Sequence, residues 1–328
     1  MPLHSSKTIL IVLAAVIGLL GFASVASYSK PLTPIADSGL TTISTDDQAS
    51  PAVEPSADVP AADQTAPGDQ ATSGQSAAGV QPAAPAAPVP APPPPRKKFA
   101  VVIGIDYDNN ILGTIHYADQ DAVSMYHLLT AGLGFPADNV KMLRNSEATR
   151  QNIISVLDWL AHNPQIDANS DVVFFYSGHG LKNGPGMLDL PGGQTAYALV
   201  PFDFASFDYR SGLGLIGDTE LATYLGNINA GRMWINIDSC FSGGFARPGI
   251  TGPNRIVTTS SRSNELSGEM PDAQRGTMMQ YFVDNGVGKG LPIEVAFNAA
   301  APFAYATSGQ NPLIADDYPG NMNLWESP

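Results

Sequence analysis

Three uninterrupted apolar runs, KFAVVIGID at 98–106, DVVFFYSGHG at 171–180 and RMWINIDSC at 232–240, set the strongest limit on what this chain can fold into. A strand with one wet face alternates apolar and polar residues. These runs do not alternate, so they read as strands buried on both faces. The segments between them carry helical spacing: IHYADQDAVSMYHLLTAGLG at 115–134, closed by glycine, ATRQNIISVLDWLAHNP at 148–164, closed by Pro164, and GDTELATYLGNI at 217–228. VKMLRN, AYALVPFDF and RIVTTSS add extended pieces, and RGTMMQYFVDNGV at 275–287 and LPIEVAFNAAAP at 291–302 read as further helices. Strand and helix in alternation imply an α/β fold with a mainly parallel sheet and helices on both faces. Such sheets bind ligands beyond the carboxyl ends of their strands.

The alternation occupies only 97–328. Residues 9–26, ILIVLAAVIGLLGFASVA, are apolar throughout and follow Lys7, so 1–28 reads as a signal peptide or a membrane anchor. Either implies an exported protein, anchored facing the periplasm or extracellular side, or secreted if the segment is removed. From 29 to 96 the chain is Ala, Pro, Ser, Gln and Asp with almost no large apolar residues, a composition expected of a disordered linker. A flexible coil of roughly 65 residues spans about 45 Å. The net charge of −14 argues against nucleic acid as a partner.

Cys240 is the only cysteine, which excludes an internal disulfide, a cysteine zinc cage and a Cys-x-x-Cys redox pair. What remains is a single thiol at the end of a buried strand, before Ser242-Gly243-Gly244. A nucleophile needs a base. Of the five histidines, His4 precedes the apolar run, His116, His127 and His162 belong to the helical segments, and His179 alone ends a buried strand, on the edge where Cys240 stands. An imidazole there takes the thiol proton or forms a thiolate–imidazolium pair, and later protonates a leaving amine. The N–H groups of Gly180 and Cys240 are the expected oxyanion hole, since glycine lets backbone and substrate approach closely. A plainer reading makes Cys240 a buried small residue and His179 a turn residue; their joint placement at two strand ends speaks against it.

YSGHG and DSCFSGG, preceded by AVVIGIDYD and ADQDAVSM, resemble the caspase-like cysteine peptidases, in their bacterial metacaspase-like branch. The resemblance runs over 97–328, with RIVTTSSRSNELSGE and RGTMMQYF similar to the small-subunit region, and implies a caspase-like three-layer sandwich in which His179 and Cys240 form the catalytic dyad. Asp238 lies two residues before Cys240, on the same strand face, where a carboxylate hinders thiol ionisation unless a cation is usually present. The resemblance assigns Asp238, with Asp121 from the first helix, to a substrate pocket for Arg or Lys, and Glu265 is a further candidate. The less specific reading has Asp238 bonded to loop N–H groups and Asp121 solvated.

Many members of the family need calcium, and Asp203, Asp208 and Asp218 are the available oxygen ligands, although LPGGQTAYA lacks the acidic run that accompanies such sites. The absence of a Lys-Ser/Thr pair after SGHGLKNGPG argues against a P-loop, and the absence of His-Glu-x-x-His against zinc. Phe241 stands where many relatives carry histidine. These features lead to a cysteine endopeptidase acting on proteins or peptides after Arg or Lys, with a catalytically idle module for assembly or signalling as the alternative, and transpeptidation as a third outcome of the same thiol chemistry.

Overall fold

The computed structural model describes residues 94–110, 112–184, 196–204 and 214–325. The expected anchor, the linker up to residue 93, and Asp208 lie outside the described residues. Among the described residues, no helix is long and apolar enough to cross a membrane.

The three apolar runs form the centre of a six-stranded sheet. β1 (Lys97–Gly104) pairs in parallel with β4 (Val140–Arg144) on one side and β5 (Ser170–Ser177) on the other. β5 pairs with β9 (Arg232–Asp238), and β9 with β10 (Arg255–Thr259), again in parallel. β13 (Leu313–Asp316) closes the edge antiparallel to β10, giving the order β13-β10-β9-β5-β1-β4.

Alternate residues of each central strand enter two separate cores. Phe99, Val101, Ile103, Val172, Phe174 and Tyr176 face one, and Ala100, Val102, Val173, Phe175 and Trp234 the other. α2 (Arg150–Ala161) and α3 (Asp218–Gly226) cover the first face. α1 (Ala118–His127) and α4 (Ile293–Ser308) cover the second. Each large side chain so buried contributes about 1.5–3 kcal/mol, which is why both faces must be covered. α1 packs so closely on β1 that a Cβ at Gly104 would lie 2.2 Å from the Ala118 carbonyl oxygen and 2.5 Å from Ala122 Cβ. The three-layer arrangement with a mainly parallel sheet is the expected one.

The structure departs from the sequence reading at the periphery. AYALVPFDF does not join the main sheet: β7 (Tyr197–Leu199) lies between β6 (Gly180–Lys182) and β8 (Ile216–Gly217) in a small antiparallel sheet. RGTMMQYFVDNGV is not one α-helix, because Arg275–Gly276 pairs as β12 with β11 (Glu269–Met270), and the helical stretch that follows is a π-helix over Met279–Asp284. A two-stranded hairpin, β2 (Tyr107–Asn110) and β3 (Gly113–Ile115), follows β1.

Candidate active site

β5 and β9 end together. Ser177 and Asp238 are register partners, and the Gly178 N–H donates to the Asp238 carbonyl at 3.1 Å. Two residues past that pair, on their respective strands, stand His179 and Cys240. Parallel pairing thus converts two distant motifs into one edge. The contact behind them is tight: a Cβ at Gly180 would lie 2.1 Å from the Cys240 carbonyl oxygen and 2.6 Å from Ser239 Oγ, so only glycine fits.

His179 is held by its neighbours. Its ring stacks obliquely on Tyr107, 4.5 Å between centroids, and Nε2 lies 3.2 Å from the Gly113 carbonyl on β3. A carbonyl only accepts, so Nε2 carries the hydrogen and the Nδ1 lone pair is left for a proton from elsewhere. Tyr176 fixes the loop by donating to the His179 carbonyl at 2.8 Å. Burial lowers the His179 pKa against the opposing carbonyl bond, keeping the ring neutral.

The cysteine loop carries strain. Phe241, immediately after Cys240, is left-handed at φ 60°, a conformation uncommon for a bulky residue. Its N–H donates to the Glu265 carbonyl at 2.7 Å, and Lys182 Nζ lies 4.9 Å from the centre of its ring. Serines pin the turn: Ser239 N–H donates to Ser260 Oγ at 3.1 Å, and Ser261 Oγ to the Ser239 carbonyl at 3.0 Å. Burial pushes the Cys240 thiol up, the Asp238 charge adds to this, and the Ser267 N–H, 3.4 Å from Sγ, opposes it.

A cavity of about 210 Å³ unites these groups. His179, Cys240, Asp121 and Asp238 all line it. Asp121 arrives from α1, on the buried stripe that it shares with Ala118, Ala122 and Met125. It accepts from Ser177 Oγ at 3.1 Å and from the Gly276 N–H. Asp238 accepts from Ser267 Oγ at 2.8 Å through Oδ1, while its buried Oδ2 has no hydrogen-bond partner among the described residues. Burial raises the pKa of both carboxyls, and for Asp121 the neighbouring Asp238 charge adds to it.

Glu265 does not line the cavity. Its carboxylate accepts from Asn311 N–H at 3.1 Å and Asn311 Nδ2 at 2.9 Å, tying its loop to the approach to β13. Glu269 lines the cavity instead and accepts from the His116 and Tyr117 N–H groups, holding the segment after β3 in place. Ser177, Ser267 and Gly276 are lining residues that sequence reasoning did not single out.

Of the calcium candidates, Asp203 and Asp218 are engaged with other partners, and Asp208 lies outside the described residues. Asp203 accepts from the Arg150 N–H at 2.8 Å. Asp218 accepts from Ala196 and Thr219 N–H and is paired with Arg247. Among the described residues no group of three His, Cys, Asp or Glu is placed to hold a metal ion.

Residues 97–247, which include both strand ends, match the family described as metacaspase, peptidase C14 domain. Metacaspase-3 of Arabidopsis thaliana is 33% identical over 158 residues, covering 45% of this chain; the chain spans 40% of that relative's length. The crystal structure of a Geobacter sulfurreducens protein, 20% identical, superposes with a TM-score of 0.50 over 68% of this chain and 94% of that one, a likeness of fold alone. By these matches, residues 97–247 are similar to the metacaspase domain of the caspase-like cysteine peptidases.

Proposed function

We propose that this chain is a cysteine endopeptidase that cleaves proteins or peptides after Arg or Lys. The observation that carries the reading is the single cavity in which one thiol, one neutral imidazole and two buried carboxylates meet. In this mechanism His179 Nδ1 takes the proton from Cys240 Sγ as the sulfur attacks the scissile carbonyl carbon. The Gly113 carbonyl, accepting from Nε2, steadies the imidazolium that results. The N–H groups of Gly180 and Cys240 receive the developing oxyanion. The imidazolium gives its proton to the leaving amine, and water, deprotonated by His179, then hydrolyses the thioester. Since burial holds the thiol up and the imidazole down, the resting pair is neutral and His179 works as a general base rather than half of a standing ion pair.

The Arg or Lys preference rests on Asp121 and Asp238. A substrate guanidinium or ammonium between them gains charge-assisted bonds, about 1.5–3 kcal/mol each, on the order of a hundredfold in rate. The membrane or secreted setting rests on the apolar run 9–26 alone, and fractionation of cells expressing the full chain tests it.

The test of the peptidase reading uses matched peptides with Arg, Lys or Asp before the scissile bond. Cleavage after Arg and Lys is expected, with none in Cys240→Ala and a loss of about 10²–10⁴ in His179→Ala. Turnover retained in Cys240→Ala overturns Cys240 as the nucleophile, and no cleavage of any peptide by the wild type decides for a catalytically idle module. Product masses separate hydrolysis from transfer to an amine.

A further inference from the structure

The carboxylate end and the thiol end of the cavity are joined by Ser267. Its backbone N–H lies 3.4 Å from Cys240 Sγ, and its hydroxyl lies 2.8 Å from Asp238 Oδ1 and 2.9 Å from Ser260 Oγ. Ser260 is itself bonded to Ser239, the residue before the cysteine. The donor that steadies a thiolate is therefore held in place by the carboxylate to which a cationic side chain would bind. The other oxygen of that carboxylate is buried and unpartnered among the described residues.

Charge around the thiol is one-sided. The titratable groups lining the cavity with Cys240 are His179, Asp121, Asp238 and Glu269, and no Lys or Arg is among the lining residues. The nearby Arg275 is paired with Asp284 at 3.3 Å. With the cavity empty, buried negative charge opposes ionisation of the sulfur; a cation between the carboxylates removes that opposition.

We propose that Ser267 couples filling of the carboxylate pocket to the nucleophile: a guanidinium or ammonium held by Asp121 and Asp238 offsets their charge, fixes the Ser267 N–H on Sγ, and so activates Cys240. The proposal rests on the reading of the Asp121–Asp238 pocket as a cation site. It makes the basic side chain of the substrate a switch for the thiol as well as a handle. Such an interaction acts on kcat and not only on KM, because it strengthens as the sulfur gains charge.

Alkylation by iodoacetamide, a small neutral reagent, reads the thiol directly, since Cys240 is the only cysteine in the chain. The full chain is alkylated near neutral pH with and without methylguanidinium, which lacks a scissile bond. Saturable acceleration on the order of tenfold or more is expected, over the concentrations at which methylguanidinium inhibits cleavage of an Arg peptide. Asp238→Asn should abolish the acceleration, Ser267→Ala should reduce it severalfold, and Ser267→Thr should keep it. If Ser267→Ala does not fold, the other two variants carry the comparison with wild type. Inhibition of cleavage with unchanged or slowed alkylation in the wild type overturns the coupling and leaves the pocket standing, as does full acceleration in folded Ser267→Ala. Neither inhibition nor acceleration by methylguanidinium overturns the pocket and the coupling together.

Discussion

Asp121 Oδ2 and Asp238 Oδ2 each lie 2.8 Å from the point that a Cβ on Gly276 would occupy. The two carboxylates, one from a helix and one from a strand, thus face the same bare stretch of β12, whose N–H donates to Asp121. Gly276 is not among the residues with positive φ, so alanine is acceptable to the backbone and only its methyl matters. Gly276→Ala places that methyl between the carboxylates. It should lower kcat/KM for Arg peptides by on the order of a hundredfold, the worth of the charge-assisted contacts it blocks. Iodoacetamide should still react with Cys240 at its basal rate. Undiminished cleavage of Arg peptides by the variant would place the substrate cation elsewhere.

The same pair makes the fold less stable than it has to be. Asp121 and Asp238 have folded pKa values raised chiefly by burial, so the fold prefers them protonated. The stability this gives is complete below the unfolded value of about 3.8 and is lost as the pH rises through the folded values. Asp238→Asn stays neutral throughout, and its amide oxygen still accepts from Ser267. Removal of the buried Asp238 charge, which also opposes Asp121, is worth about 1–3 kcal/mol, each kcal/mol corresponding to about 2–4 °C in a domain of this size. The variant should therefore melt higher than wild type at neutral pH while losing activity on Arg peptides, with the gap closing as the pH falls towards about 4. Equal melting temperatures at neutral pH would show that the pair carries no such penalty.

How far the site was legible in the sequence depends on which kind of signal each residue left. β1, β5 and β9 announce themselves as unbroken apolar runs, and their parallel register alone brings His179 and Cys240 to one edge. Asp121 was legible only through the family resemblance, and the structure places it on the buried stripe that it shares with Ala118, Ala122 and Met125. Glu265 and Glu269, four residues apart in one loop, have no such periodicity. Which of them enters the cavity is decided by the long-range bond of Glu265 to Asn311 and the short pairing of β11 with β12. Ser267 is one of several serines in SSRSNELSG, and only its contacts distinguish it. β13 was missed for a related reason: LIAD is short and half-exposed, and its partner β10 lies far back in the chain.

At the opposite edge of the sheet, a different carboxylate is structural. Asp171 is fully buried and accepts from Arg96 Nε at 2.5 Å and from Arg232 Nε and Nη2, each at 2.7 Å. Its two arginines join the segment entering β1 to the starts of β5 and β9. Removing a buried charge while leaving its partners typically costs about 3–5 kcal/mol. Asp171→Asn should lower the unfolding free energy by that amount, read as a lower urea midpoint at unchanged slope, yet leave the kcat/KM of the folded protein unchanged, since the active edge lies at the other end of the strands. An unshifted midpoint would mean that solvent already satisfies both guanidinium groups.

The last prediction concerns self-cleavage, to which an enzyme specific for basic residues is exposed at its own Arg247, Arg255 and Arg262. Peptidases bind the cut segment extended, so backbone geometry decides which of these is accessible. Arg247 is followed by Pro248 and is paired with the buried Asp218. Arg255 begins β10, with its guanidinium bonded to the Gly249, Ile250 and Ile228 carbonyls. Arg262 has the most exposed side chain of the three, but the Glu265 N–H donates to its carbonyl at 3.2 Å and its own N–H to Glu265 Oε2, closing a turn over 262–265. That turn must open before any cut, and Glu265 is held shut by Asn311. The intact chain should therefore be the active form. Processing, where it occurs, should fall after Arg262, require Cys240, and increase severalfold in Glu265→Ala. Intact-mass measurement of wild type, Cys240→Ala and Glu265→Ala alongside their turnover checks this: a Cys240-dependent cut that must precede activity would overturn it, and full activity from an unbroken chain is the expected result.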